Sequence, residues 1–337
     1  MKKLISILSI ILILFISLPT INAENSTSHF ILIYMDQNYK KGDFFEMSKS
    51  GITNFVILSL DDFDNNQDNY LNKLIPRTLF TMLRITQEVP NANLWIATPH
   101  MNSMTHPYYF STALEKIYNY LLEIQKSMPI IWRNNIKGIY MNTETIIGQV
   151  DYNNLYANFT ISFMNDLAFR IHEYLDKKVL WIPYYGYGDH AARIIKNLGY
   201  IVNTTPIFDY VLIQPHYYFD GDNIKNLDGV FYSVINQEIC YRDKKIVTPR
   251  TSNSKSKIGF LIEISSAIKW ENAEVYQSRY NQYRFNFIGL RNIFPSGFYS
   301  GGANDVDYKR IHDFYINNRN NEQLFDILSN NMLYIMY

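Results

Sequence analysis

The sequence predicts an α/β fold, a single-domain (β/α)8 TIM barrel, on three observations. Eight short apolar runs punctuate the 337 residues, helical patterns fill most of the gaps between them, and each run is continuously apolar rather than alternating. Continuous apolar strands joined by crossover helices are what a parallel sheet covered on both faces requires. Eight such units favour closure into a barrel over an open sheet. The length agrees, since a barrel of this kind typically takes ~250 residues.

The elements follow in order from the N-terminus. Lys2 and Lys3, an apolar run from Leu4 to Leu18, the break at Pro19 and "INA" before Glu24 have the layout of a secretory signal peptide. Residues 1–23 are therefore expected to be removed and residues 24–337 to form the barrel. The strand runs are HFILIYMD (29–36), NFVILSLDD (54–62), NLWIATPH (93–100), IKGIYMNTE (136–144), VLWIPYYG (179–186), DYVLIQPHYY (209–218), IGFLIEIS (258–265) and SGFYSGG (296–302). Helical spacing covers Leu71 to Glu88, Thr112 to Ser127, Leu155 to Asp176, Ala191 to Leu198 and Glu274 to Gly289. In the third of these, Leu155, Phe159, Phe163, Leu167 and Ile171 recur every fourth residue. The weakest joint is 219–257, read as one poor helix and a polar Ser/Lys loop, mobile from Thr248 to Lys257. No internal repeat or shift of composition marks a second domain.

Composition removes several classes of function. The 31 basic and 31 acidic side chains balance, and no basic stripe offers a nucleic-acid surface. No GxGxxG or Walker loop points to a nucleotide, and no HExxH or Cys/His cluster points to a metal, so no cofactor is expected. Cys240 is the only cysteine, which excludes an intrachain disulfide and reads as a buried, inert thiol. A membrane enters only if the N-terminal segment is retained, for no later run reaches the ~20 apolar residues of a span. Sequons stand at Asn25, Asn158 and Asn203. Aromatic residues make up 16% of the chain, and those in WIPYYGYG and QPHYYFD gather at strand ends, where a ligand-lining surface would lie.

In a barrel of this class the site forms at the C-terminal ends of the strands, so the groups that close each run are the candidates. They are Asp36, the pair Asp61 and Asp62, His100, Asn142 with Glu144, Tyr184 with Tyr185, Gln214 with His216, and Glu263. Glu144 and Glu263 close the fourth and seventh strands, on opposite sides of the mouth. Glycoside hydrolysis needs two carboxyl groups, one to protonate the leaving oxygen and one to attack or to activate water. Strand alternation puts Tyr140, Asn142 and Glu144 on one face, and Gly259, Leu261, Glu263 and Ser265 on one face. The alternatives are a structural ion pair with an Arg or Lys for Glu263 and an exposed loop acid for Glu144. Trp181 and Tyr185 fall on the face opposite Tyr184, so the three cannot all line one pocket.

Several of these segments resemble the DUF4855 family, exported proteins of uncharacterised function placed among the glycoside-hydrolase-like TIM barrels. The resemblance is carried by GIYMNTE (138–144), WIPYYG (181–186), FDYVLIQPHYYF (208–219), GFLIEIS (259–265), SGFYSGG (296–302) and YKRIHDFYI (308–316). It implies a barrel, a carbohydrate substrate, and Glu144 and Glu263 as the matching acids. The chain departs from the family pattern at Leu261 and Ser265, where acids are usual, and at His216, where Asn is usual.

The expectation is an exported or cell-surface glycoside hydrolase with Glu144 as general acid/base and Glu263 as nucleophile. Asp36, Asn142, Trp181, Tyr184, Tyr185, Gln214, His216 and Tyr218 are expected to bind the sugar. The alternative is a non-catalytic glycan-binding protein that keeps the barrel and its aromatic rim.

Overall fold

The computed structural model describes residues 28–35, 37–59, 68–100, 108–269, 273–301 and 308–316. Eight parallel strands close in sequence order: β1 (His29–Tyr34), β2 (Asn54–Leu58), β3 (Asn93–Ala97), β4 (Ile136–Met141), β5 (Lys178–Trp181), β6 (Tyr210–Ile213), β7 (Lys257–Glu263) and β8 (Ser296–Tyr299). Pairing of His29 with Ser296 and of Phe30 with Gly297 joins β1 to β8 and completes the barrel. The predicted signal peptide, the sequon at Asn25, and Asp36, Asp61 and Asp62 lie outside the described residues.

Both faces of each strand are buried, and alternation sorts the side chains into two cores. Phe30, Leu32, Val56, Leu58, Trp95, Tyr140, Leu180, Tyr210, Leu212 and Leu261 fill the barrel. Their neighbours along the strands, such as Ile31, Ile57, Ile139, Val211 and Phe260, face the helices. Phe30 and Trp95 each meet Tyr210 edge to face at 5.7 Å and lie tilted against one another at 5.4 Å, an aromatic plug in which the Trp95 indole N–H donates to Asn54 Oδ1 at 3.1 Å. Space for such rings comes from the glycines. A Cβ on Gly138 would strike the Trp95 ring, and one on Gly259 would strike the Pro295 carbonyl and Leu212.

The helices in order are α1 (Asp43–Lys49), α2 (Asp68–Glu88), α3 (Tyr108–Ser127), α4 (Pro129–Asn134), α5 (Phe159–Leu175), α6 (Ala191–Thr204), α7 (Lys225–Asn236), α8 (Ala273–Phe287) and α9 (Tyr308–Tyr315). Among the described residues, no helix is long and apolar enough to cross a membrane. Two expectations need correcting. The helix read from Leu155 begins at Phe159, because the Asn158 side chain caps it by accepting from the N–H groups of Thr160 and Ile161 at 3.1 and 3.2 Å; Leu155 belongs to a separate turn, and Phe159 faces solvent. The loop expected to be mobile from Thr248 to Lys257 is held at many points. Arg250 donates to Gln237 O (2.8 Å) and Ser256 O (2.7 Å), while Ser254 and Ser256 hydroxyls reach the carbonyls of Val202 and Phe208. Its polar residues are spent on backbone groups that irregular chain would otherwise leave unpaired.

Cys240 is fully buried, and burial pushes its thiol up, away from the reactive thiolate. Asn203 is also fully buried, with its side chain between Thr248 O and the Ile239 N–H, so the folded chain presents no acceptor at that sequon.

Candidate active site

Sheet pairing persists beyond the ends of β4, β5 and β6 and carries their last residues to the barrel mouth. The Tyr184 N–H donates to Glu144 O at 2.9 Å, and the Gln214 N–H donates to Pro183 O at 2.8 Å. Glu144 continues the inward register of Tyr140 and Asn142, and the Tyr184 hydroxyl donates to its carboxylate. Burial, supported by the charge of Glu263, lifts the Glu144 carboxyl above its ordinary value; the Tyr184 hydroxyl, His100 and His216 offset part of that rise. Burial, joined by the same two acids, pushes the Tyr184 phenol well up, and burial with the Glu144 charge does likewise to Tyr140. These shifts place Glu144, Glu263, Tyr184 and His216 within one electrostatic neighbourhood.

Glu263 ends β7 with only 1% of its surface exposed. Its Oε2 accepts from the His216 backbone N–H at 2.8 Å and from the Tyr283 hydroxyl of α8. No Arg or Lys pairs with it among the described contacts; the partners are a tyrosine, a peptide N–H and a histidine. Among the described residues its Oε1 is buried without a hydrogen-bond partner and faces His216 Nδ1, likewise buried and unpartnered, at 3.8 Å. His216 itself has φ = 57°, a left-handed conformation that His and Asn tolerate better than most residues. Burial alone would depress the imidazole, but Glu263, with Asp220 and Glu144, raises it above its ordinary value.

His216 also begins an arc of rings. Its centroid lies 4.6 Å from Tyr184, 5.5 Å from Tyr187 and 6.0 Å from Phe219; Phe219 lies 6.2 Å from Tyr299, and Tyr299 lies 6.0 Å from Tyr34. The arc runs from the end of β5 to the end of β1 and gives the mouth an aromatic wall. Tyr34 and Tyr299 were not among the expected site residues, although they close the inward registers of β1 and β8 and the same alternation reaches them. Tyr283 had no signal in the sequence, because it approaches the strand end from a helix.

Four expected sugar-binding residues are engaged elsewhere. Trp181 faces the helix layer, stacked on Phe208 at 4.7 Å with its indole N–H on Thr143 O. Tyr185 is fully buried against Gly229 of α7, and its hydroxyl donates to Cys240 O. Tyr218 is fully buried against Tyr276 and donates to Ser265 O at 3.2 Å. Gln214 points inward but spends its amide on Ile182 O at 2.7 Å, closing the sheet rather than facing the mouth. Asn142 is buried on the inward register, with its N–H on Thr98 Oγ1. Among the described residues, no group of three or more His, Cys, Asp or Glu is set to hold a metal ion.

No family model matches the chain, and no curated protein matches it in sequence. Solved structures similar to it include a GH18 chitinase from Pseudoalteromonas aurantia, 12% identical with a TM-score of 0.43, covering 86% of this chain and 99% of the other. The xylanase and α-amylase inhibitor protein of Scadoxus multiflorus is 12% identical with a TM-score of 0.43, covering 87% and 98%. β-Methylaspartase from Clostridium tetanomorphum is 11% identical with a TM-score of 0.44, covering 87% of this chain and 57% of that one. At such identities the likeness is one of fold alone, so the chemistry must be argued from the mouth itself.

Proposed function

We propose that the barrel mouth is the active site of an exported glycoside hydrolase, a divergent relative of the DUF4855 proteins, with Glu144 as its general acid. The observation that carries this reading is the Glu144 carboxyl, lifted by burial at a strand's C-terminal end and held by Tyr184 beside a second acid. A carboxylic acid that holds its proton more tightly than an ordinary carboxyl is what leaving-group protonation requires. The aromatic arc supports a carbohydrate ligand, because ring faces pack against the C–H faces of a sugar while hydroxyls remain free to hydrogen-bond. Glu263 is the second carboxylate of the site, acting from behind His216.

One observation favours a second reading, a glycan-binding barrel without turnover. Glu263 exposes no oxygen to the mouth, whereas an attacking nucleophile must touch the anomeric carbon. The test is a screen of the chain from Glu24 onward against a panel of polysaccharides and chromogenic glycosides. Release of reducing ends by the wild type is expected, with a loss of ~10²–10⁴-fold in Glu144→Gln and unchanged retention on the same glycan. Retention without release would support the binding reading, and absence of both would remove the carbohydrate assignment.

A further inference from the structure

We propose, resting on the hydrolase reading above, that His216 is the catalytic base of this site and Glu263 its orienting partner, so that the reaction proceeds with inversion. The starting point is the sealing of Glu263. One oxygen is held by the Tyr283 hydroxyl and the His216 N–H, and the other is buried. Such a carboxylate reaches the mouth only through whatever covers it, and the cover is the His216 ring, whose side chain remains 22% exposed. Among the described residues Nδ1 and Oε1 are both buried without other partners and face each other at 3.8 Å, so each is the other's available compensation. With Nδ1–H turned toward Glu263, Nε2 on the far side of the ring becomes a proton acceptor, the division of labour of an acid–histidine pair. The left-handed backbone at His216, φ = 57°, fixes the N–H on Glu263 and the ring over it from a single residue.

The acid and the proposed base are one tyrosine apart. The Tyr184 ring lies against His216 at 4.6 Å and its hydroxyl donates to Glu144. Tyr184 thus stands between the two groups, so that acid and base border the same stretch of the mouth. In the step, a water oxygen bonds to the anomeric carbon as the glycosidic C–O bond breaks. The water's proton passes to His216 Nε2, and the Glu144 proton passes to the leaving oxygen. Glu263 stays ionised and balances the imidazolium. The groups facing His216 are Glu263 of β7, Glu144 beyond β4, Asp220 and Phe219 beyond β6, and Tyr184 and Tyr187 beyond β5.

Four variants test the proposal on a glycan that the wild type cleaves. His216→Gly and His216→Asn both suit a left-handed backbone, which keeps the fold; each should lose ~10²–10⁴-fold in kcat. External imidazole should restore His216→Gly and leave Glu144→Gln unchanged. Glu263→Gln should lose comparably while remaining folded, because its amide N–H₂ facing Nδ1 favours the Nε2–H tautomer, which accepts no proton. Proton NMR of the first-formed product should show the inverted anomer. A retained anomer, or His216→Gly within about threefold of wild type, a change far short of the ~10²-fold minimum for a lost base, overturns the base assignment while leaving Glu144 in place. A wild-type chain that cleaves nothing overturns the hydrolase reading and this inference with it.

Discussion

Glu144 is held between opposing influences, and Tyr184 provides one that can be removed cleanly. Burial raises the carboxyl, whereas the Tyr184 hydroxyl donates to its ionised form and lowers it. Tyr184→Phe therefore raises the Glu144 pKa further, and on the proposed hydrolase reading the acid then keeps its proton to higher pH and the alkaline limb of the pH–rate profile moves upward. A profile measured on any cleaved glycan checks the sign; a limb that moves down would remove Glu144 as the acid. Much at this scale was legible in the sequence. Alternation placed Glu144 with Tyr140 and Asn142, and it separated Trp181 and Tyr185 from Tyr184. Clustered aromatics nonetheless made Trp181, Tyr185 and Tyr218 look like sugar ligands, and it is the helix layer that claims them. The partners of Glu263 were not legible, because Tyr283 comes from α8 and the His216 contribution is a backbone N–H.

Asp209 shows how elements are tied together at the opposite end of the barrel. Immediately before β6, its Oδ2 accepts from the Val179 N–H at the start of β5 at 2.7 Å and contacts His172 Nε2 of α5 at 2.9 Å. Burial would raise this carboxyl, but the His172 and Val179 bonds outweigh it and hold it below the ordinary value of 3.8. A depressed acid stabilises the fold fully above its unfolded pKa and loses that contribution as pH falls through the folded value. Asp209→Ala should therefore cost about 1.5–3 kcal/mol at neutral pH, and the gap to wild type should narrow as pH falls below 3.8. Urea unfolding at pH 7 and pH 3 measures it; a gap independent of pH would assign the loss to packing instead. The strands themselves were readable because each is a continuous apolar run between helical patterns. Helices α1, α4 and α9, of seven, six and eight residues, were missed because so few turns establish no period. The true start of α5 depended on one capping side chain inside an apolar pattern that ran past it.

The closure of the whole barrel depends on a seam that the count of eight strands implied but could not locate. At that seam His29 of β1 pairs with Ser296 of β8; His29 Nδ1 lies 2.9 Å from Ser296 Oγ and its ring packs on Tyr315 of α9 at 4.6 Å. Burial, aided by the Arg291 charge, lowers the His29 pKa to about 4. With 31 charges of each sign, the chain has no net self-repulsion near neutral pH, so its first response to acid should come from groups such as this one. Between the ordinary value of 6.5 and about 4 the unfolded chain binds a proton at this position that the folded chain refuses. Stability therefore falls as pH drops through that window, by at most about 3.5 kcal/mol and by less where solvent screens the partly exposed ring. His29→Gln keeps a hydrogen-bonding group for Ser296 and removes the titration. Its urea midpoint should change much less than that of wild type between pH 7 and pH 4.5. If the two midpoints fall in parallel, the acid sensitivity of the barrel resides elsewhere, and the β1–β8 seam is held by packing of Tyr315 and Phe298 rather than by a neutral imidazole.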